Sequence, residues 1–419
     1  MSADPALVLD VSRLISRLGG GPATGIDRVE AAWLRHLRTS GRNHLLLCRV
    51  RRGQLLLPPQ AGEAIQGWLD GATDRLPPAG LLDRLAGRRG LPARAEAALR
   101  RMALLRTPRD GRGLLRRIRK RLGKDTVYLN VGHANIDAAL WQSLEGLRRV
   151  ALIHDTIPLD HPEFTRAGQS EKFRARFEVL MRHADGLLTV SDATRKDVMR
   201  WRNKLGLPDH APISPAHIGT DLSTPDVSRL PAGLDLTRPY FLTLGTIEPR
   251  KNHALLLDAW EALARRMPAE KLPRLFIIGR RGWENHEVFQ RLDALPANGA
   301  VQEFNALDDG AVAEILSRSH GLMIPSRAEG FGLPLTEAAA RGVPIFCAPL
   351  PAVQELLGDY ARYLSPDDPL CWAGAAALLA PSLPLRLEPL KVPQWESHFG
   401  LVFKSFCDRT PSFGPQTGK

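Results

Sequence analysis

Short apolar runs alternate along this chain with stretches whose apolar residues recur every three or four positions. In the second half, Tyr240 to Leu244, Leu275 to Ile278, Gly321 to Pro325 and Val343 to Cys347 read as buried strands. Helices over His253 to Arg266, Ala311 to Arg318 and Leu333 to Arg341 lie between them. The first half keeps the rhythm, with strands at Ala6 to Asp10, His44 to Val50, Thr126 to Asn130, Arg149 to His154, Gly186 to Val190 and Pro212 to Ile218. A helix spans Gly25 to Arg38, and Ser191 opens another as N-cap, with Asp192 suited to its dipole. Such alternation predicts an α/β fold with parallel, doubly wound sheets. The Pro- and polar-rich segment from Gly219 to Pro239 reads as a linker between two Rossmann-like domains, residues 1–222 and 236–385. A last helix is expected between Leu387 and Asp408, within a C-terminal segment 386–410 that holds Trp395 and Phe399.

Composition changes this picture little. At 419 residues the chain exceeds one ordinary core, and 44% hydrophobic with 24% charged residues is globular. No run approaches 18 uncharged apolar residues, so no spanning helix is expected. The start, Met1-Ser2-Ala3-Asp4-Pro5, lacks the basic flank and apolar core of a secretory signal, which predicts a cytoplasmic protein. Cys48, Cys347, Cys371 and Cys407 have neither metal-ligand nor disulfide spacing and read as small buried hydrophobes.

Charge changes it more. The net charge is +12, yet residues 84–124 alone hold fifteen Lys or Arg against Glu96 and Asp110. In this stretch Leu114-Leu115-Arg116-Arg117-Ile118-Arg119-Lys120-Arg121-Leu122 has helical spacing of apolar residues. A basic amphipathic helix adsorbs to anionic bilayers, so a basic insertion that meets the membrane is predicted. A solvated arginine-rich insertion or an acidic-polysaccharide site are the other readings.

The candidate chemistry centres on Ser326-Arg327-Ala328-Glu329-Gly330-Phe331-Gly332-Leu333-Pro334-Leu335-Thr336-Glu337-Ala338. A Gly-Phe-Gly turn frees backbone N–H groups ahead of a helix start, which suits a diphosphate. Glu329 before the turn and Glu337 one turn into the helix can accept hydrogen bonds from sugar hydroxyls on either side of it. Upstream, Gly245-Thr246-Ile247-Glu248-Pro249-Arg250-Lys251-Asn252 and Ile153-His154-Asp155-Thr156-Ile157-Pro158 each close a predicted strand. Arg250 and Lys251 there would favour a transition state in which a leaving diphosphate gains charge. Gly19-Gly20-Gly21-Pro22-Ala23-Thr24-Gly25-Ile26-Asp27-Arg28 is a Gly-rich loop able to approach a ligand closely, but it fits neither the dinucleotide fingerprint nor the P-loop.

Glu329 to Glu337 resembles the E-x7-E motif of retaining GT-B glycosyltransferases, in particular glycosyltransferase family 4, and the two upstream strings are similar to that family's supporting motifs. The resemblance covers residues 126–380 and, less clearly, the first 40. It implies a GT-B fold, two Rossmann-like domains facing a central cleft, with a C-terminal helix crossing back to the first domain. It implies that Glu337 accepts from the nucleotide ribose, that Glu329 and His154 face the donor sugar, and that Phe331, Gly332, Leu333, Gly245, Thr246 and Gly25 line the donor site. Asp155 is an acceptor-side carboxylate or a loop cap, His154 a sugar ligand or a satisfied core residue, and the Phe331 ring a core residue or a site residue. Many relatives carry an Arg where this chain has Thr246, which shifts phosphate neutralisation towards Arg250 and Lys251.

The resulting expectation is a metal-independent, retaining hexosyltransferase without a cofactor. Its string Thr-Ile-Glu-Pro-Arg-Lys-Asn is similar to bacterial mannosyltransferases, which favours GDP-mannose over a UDP-sugar and a surface-polysaccharide or lipid-linked glycan acceptor. No Asp-x-Asp site occurs, and no nucleic-acid partner is expected. A peripheral position on the inner face of the cytoplasmic membrane follows from the basic stretch. A GT-B sugar-nucleotide epimerase and a basic polyanion-binding protein are the rival readings.

Overall fold

The computed structural model describes residues 5–407 apart from 297 and 306. The first sheet contains β1 (Leu7–Asp10), β2 (His44–Val50), β3 (Gly53–Leu57), β4 (Leu105–Thr107), β5 (Val127–Asn130), β6 (Arg148–Ile153), β7 (Gly186–Thr189) and β8 (Ile213–Pro215). Their order is β4-β3-β2-β1-β5-β6-β7-β8. The second contains β9 (Tyr240–Leu244), β10 (Arg274–Ile278), β11 (Val301–Phe304), β12 (Gly321–Ile324), β13 (Ile345–Cys347) and β14 (Arg362–Tyr363), ordered β11-β10-β9-β12-β13-β14. Both sheets bury both faces. Leu7 and Leu9 of β1 enter one core and Val8 the opposite one, while Phe241 of β9 faces away from Tyr240, Leu242 and Leu244. That double burial is why central strands read as unbroken apolar runs.

Two expectations need correction. The first sheet is not wholly parallel, because β3 runs antiparallel to β2 and β4 antiparallel to β3. Residues 84–124 are also no free insertion. They supply β4, the helix Leu91–Met102 and the helix Leu114–Leu122, whose Leu114 and Ile118 are fully buried beside Tyr128 and Trp141. Each such burial stabilises the fold by about 1.5–3 kcal/mol, so the apolar side of this helix serves its own core rather than a bilayer. Arg116, Arg119, Lys120 and Arg121 remain exposed. Around Asp83 and Glu96, Arg88 and Arg100 close a four-membered charge cluster with N–O distances of 3.0 to 3.1 Å. Among the described residues no helix is long and apolar enough to cross a membrane.

The helix Gly25–Thr39 begins with a reciprocal capping box between Thr24 and Asp27. Its Trp33 is buried under the helix Trp395–Val402: Trp33 Nε1 donates to His398 Nε2 at 3.1 Å, and Phe399 packs edge-on at 4.8 Å. This helix is shorter than expected, since residues 383–394 run without regular structure, and residues 408–410 of the predicted segment lie outside the described residues. The chain thus passes between the sheets twice, and the passages touch. Thr220 N–H donates to the Pro393 carbonyl at 3.0 Å, and a Cβ at Gly219 would lie 2.3 Å from the Trp395 ring.

Candidate functional site

In the second sheet β9 and β12 are neighbours, so the loops leaving their carboxyl ends lie side by side. Ligands of open parallel sheets bind at that edge. The Arg327 N–H donates to the Arg250 carbonyl at 2.7 Å, which stitches the two loops together. Glu329 is thereby brought onto both cations. Its carboxylate accepts from Lys251 Nζ and, at 3.1 Å, from Arg250 Nη1. Arg250 Nε contacts Glu248 at 2.5 Å, and its Nη1 also donates to the Ala328 carbonyl. Burial alone would raise the Glu329 carboxyl, but Lys251 and Arg250 overcome it and hold it at about 2. Glu248, 2% exposed, had no role in the sequence reading; it and Glu329 offset the two cations, which are therefore not a free positive pair.

Gly332 starts the helix Leu333–Ala339 at φ 98°, in the left-handed region. The N–H groups of Phe331, Gly332 and Leu333 donate to no group among the described residues, while Leu335 and Thr336 already bond back to the Gly332 carbonyl. The Phe331 ring belongs to the core of the first domain, so only its backbone faces the cleft. Gly245, at φ 135°, leaves room for Lys251, whose Cε would lie 3.4 Å from a Cβ there. Thr246 stands against Gly282, with Cγ2 2.8 Å from where a Cβ would be.

Glu337 lies across the cleft from its partner. Arg28 Nη1, from the first domain, donates to Glu337 Oε1 at 2.7 Å and its Nη2 reaches Asp309 at 3.4 Å. Burial raises the Glu337 carboxyl, with Arg28 opposing. Arg28 stood in the Gly-rich segment without a role. Its place one turn after Gly25, on a helix whose start faces the cleft, is the signal that could have found it. Gly25 itself lies over Leu333, 3.6 Å from Cδ1 to the position of a Cβ.

The first domain closes the other wall. A Cβ on Gly330 would meet the His154 carbonyl oxygen at 2.2 Å, so glycine is required there by contact. Ser191 Oγ donates to the Gly330 carbonyl at 3.2 Å, and Thr220 Oγ1 to Thr336 Oγ1 at 2.9 Å. His154 Nε2 donates to the Val131 carbonyl at 2.7 Å, which assigns the proton to Nε2 and leaves Nδ1 an acceptor. Burial pushes this imidazole down to about 4, so it is neutral at physiological pH. Asp155 caps the next turn through Ile157 N–H at 3.1 Å, and burial raises its carboxyl while Arg250 opposes. The structure therefore gathers Glu329, Arg250, Lys251, His154, Asp155, Glu337 and the 331–333 backbone around one cleft. Among the described residues no group of three or more His, Cys, Asp or Glu could hold a metal ion.

Residues 228–370 match the family described as glycosyl transferases group 1. The chain resembles sucrose-phosphate synthase from Thermosynechococcus elongatus in structure, at 15% identity, covering 96% of both chains with a TM-score of 0.60. The architecture is GT-B. Within this GT-B chain, 230 residues are 33% identical to the serotype-specific mannosyltransferase WbdA of Escherichia coli, covering 52% of the chain and 28% of that relative. The O-antigen chain mannosyltransferase B of Escherichia coli is 29% identical over 233 residues, 53% of the chain and 58% of the relative. The GT-B chain thus spans less than two thirds of the length of these relatives.

Proposed function

We propose that this GT-B chain is a retaining, metal-independent glycosyltransferase of family 4 that moves a mannosyl unit from GDP-mannose to a surface-polysaccharide or lipid-linked glycan. The carrying observation is the Glu329 carboxylate held by Arg250 and Lys251, beside three uncommitted backbone N–H groups and opposite His154 and Asp155. The match to group 1 glycosyl transferases and the mannosyltransferase relatives support the sugar and the acceptor class.

In this reading the diphosphate meets the N–H groups of Phe331, Gly332 and Leu333, and the ribose hydroxyls take Glu337 over from Arg28. Arriving phosphate draws Arg250 and Lys251 partly off Glu329, which turns its freed oxygen to the sugar hydroxyls. His154 Nδ1 accepts from a further hydroxyl. As the glycosidic bond breaks, the charge growing on the phosphate is met by preorganised cations. The departing phosphate oxygen takes the acceptor's proton on the same face, as the family resemblance implies. Exposed Arg116, Arg119, Lys120 and Arg121 hold the enzyme electrostatically on the anionic inner face of the membrane, without an inserted apolar side.

Calorimetric titration of GDP, UDP and ADP, repeated with Glu337→Ala, tests the cleft. GDP binding that the substitution abolishes supports it, and GDP-mannose turnover with anomeric NMR then tests transfer with retention. An isomerised nucleotide sugar would point to an epimerase. Salt-sensitive polyanion binding indifferent to Glu337, with no nucleotide bound, would overturn the transferase reading.

A further inference from the structure

The first domain's wall of the cleft holds cations that the donor reading leaves unused. Arg13 lies in the helix Ser12–Arg17 directly after β1, and Arg49 at the carboxyl end of β2. The Arg49 N–H donates to Ser12 Oγ at 2.8 Å, which places these two positions side by side. His133, in the turn after β5, has its ring 5.6 Å from His154 and 5.8 Å from Phe173. Arg176 follows Phe173 by three residues on the helix Gln169–His183, hence on the same face. Arg13 Cβ lies 3.1 Å from where a Cβ on Gly132 would stand, so Arg13 borders the same turn as His133, while Arg49 and Arg176 are exposed to solvent.

Little offsets them. Asp27 accepts from Arg13 Nε at 2.7 Å and is also 3.5 Å from Arg17. Among the described residues neither Arg49 nor Arg176 forms an ion pair. The nearby Glu30 is fully buried, and burial, ahead of the Asp10 charge, pushes its carboxyl well up. His133 is held at φ 53°, and its buried Nε2 has no hydrogen-bond partner.

We propose that the glycan acceptor carries a phosphate group, bound by Arg13, Arg49 and Arg176 beside His133. This rests on the reading that the first domain takes the acceptor. Against the Asp27 carboxylate these guanidiniums leave an excess of positive charge, which suits a phosphate monoester. Its three terminal oxygens can each meet one guanidinium, whereas a carboxylate has one charge and two oxygens.

The test is a titration of mannose 6-phosphate into the whole protein, its donor cleft filled by the nucleoside diphosphate it binds. Arg49→Gln/Arg176→Gln is the comparison. The expected result is saturable binding that weakens at least tenfold in the double variant and partly returns with Arg49→Lys/Arg176→Lys. Unchanged nucleotide affinity and thermal midpoint show that the variant is folded. Vesicles containing phosphatidic acid form a second arm: the same arginine dependence there, without it for mannose 6-phosphate, assigns the phosphate to a lipid carrier. Binding of both probes within twofold of wild type in the double variant, or no binding of either, overturns the proposal. If no nucleoside diphosphate binds, the transferase reading fails separately, and the same titration of the free protein still reads the arginine dependence.

Discussion

Glu329 and Glu337 stand eight positions apart on one loop and helix, yet their surroundings oppose each other. Glu329 is held by two cations of its own domain, and its carboxyl falls to about 2. Glu337 has one cation, Arg28, reaching over from the other domain, and burial raises its carboxyl. A carboxylate fixed within its domain keeps its place whether the cleft is open or closed. One whose partner crosses the cleft is in turn a reporter of closure. The same residue type is thus tied within one domain at one end of the motif and bridges the two domains at the other.

The largest effect should come from breaking the fixed member. Glu329→Ala leaves buried Lys251 without its carboxylate and Arg250 with Glu248 alone, a loss of about 3–5 kcal/mol visible as an earlier midpoint in urea. Transfer should fall by about two to three orders of magnitude. The depressed carboxyl contributes stability that is full above its ordinary value of 4.5 and is lost as pH falls towards 2, so acid titration of the wild type should reveal that window and the variant should lack it. Next comes Gly330→Ala, whose methyl meets the His154 carbonyl. We expect transfer to fall about a hundredfold while nucleotide affinity stays within a few-fold, and small-angle scattering should show a larger radius. Glu337→Gln should weaken nucleotide binding about tenfold and leave thermal stability nearly unchanged, the reverse of the Glu329 pattern.

His154 gives a smaller effect. Its imidazole titrates near 4 when folded and 6.5 when not, so its contribution to stability diminishes as pH drops from 6.5 towards 4. His154→Gln should flatten that part of the stability–pH curve, measured by denaturant unfolding. Smallest of all, Arg116→Glu/Lys120→Glu should move stability by less than about 0.5 kcal/mol, while sedimentation with anionic vesicles falls.

Much of the fold was legible because its central strands are buried on both sides and bounded by Gly, Pro or polar residues. Elements lacking that contrast were not. β3 is five buried residues directly after β2, β11 carries two adjacent polar residues, Gln302 and Glu303, and β14 has two residues. In the basic stretch, a helical stripe of Leu114 and Ile118 looks the same whether it faces lipid or a protein core, and the structure places it in the core. At the site, the glutamates, the basic pair and the histidine were visible as motifs. Arg28 and Glu248 were not assigned, since their partners are set by pairing across the cleft and by loop conformation, neither of which spacing encodes.

The side-by-side passages at Gly219–Thr220 and Pro393–Trp395 act as two pins of one door. A single tether would let the domains swivel in any direction. Two adjacent crossings leave one axis, so opening becomes a swing in which residues near that line hardly move and remote loops move farthest. A proteolytic nick in one crossing would therefore leave both cores folded yet free the swing from its plane, separating the precision of closure from the integrity of the parts.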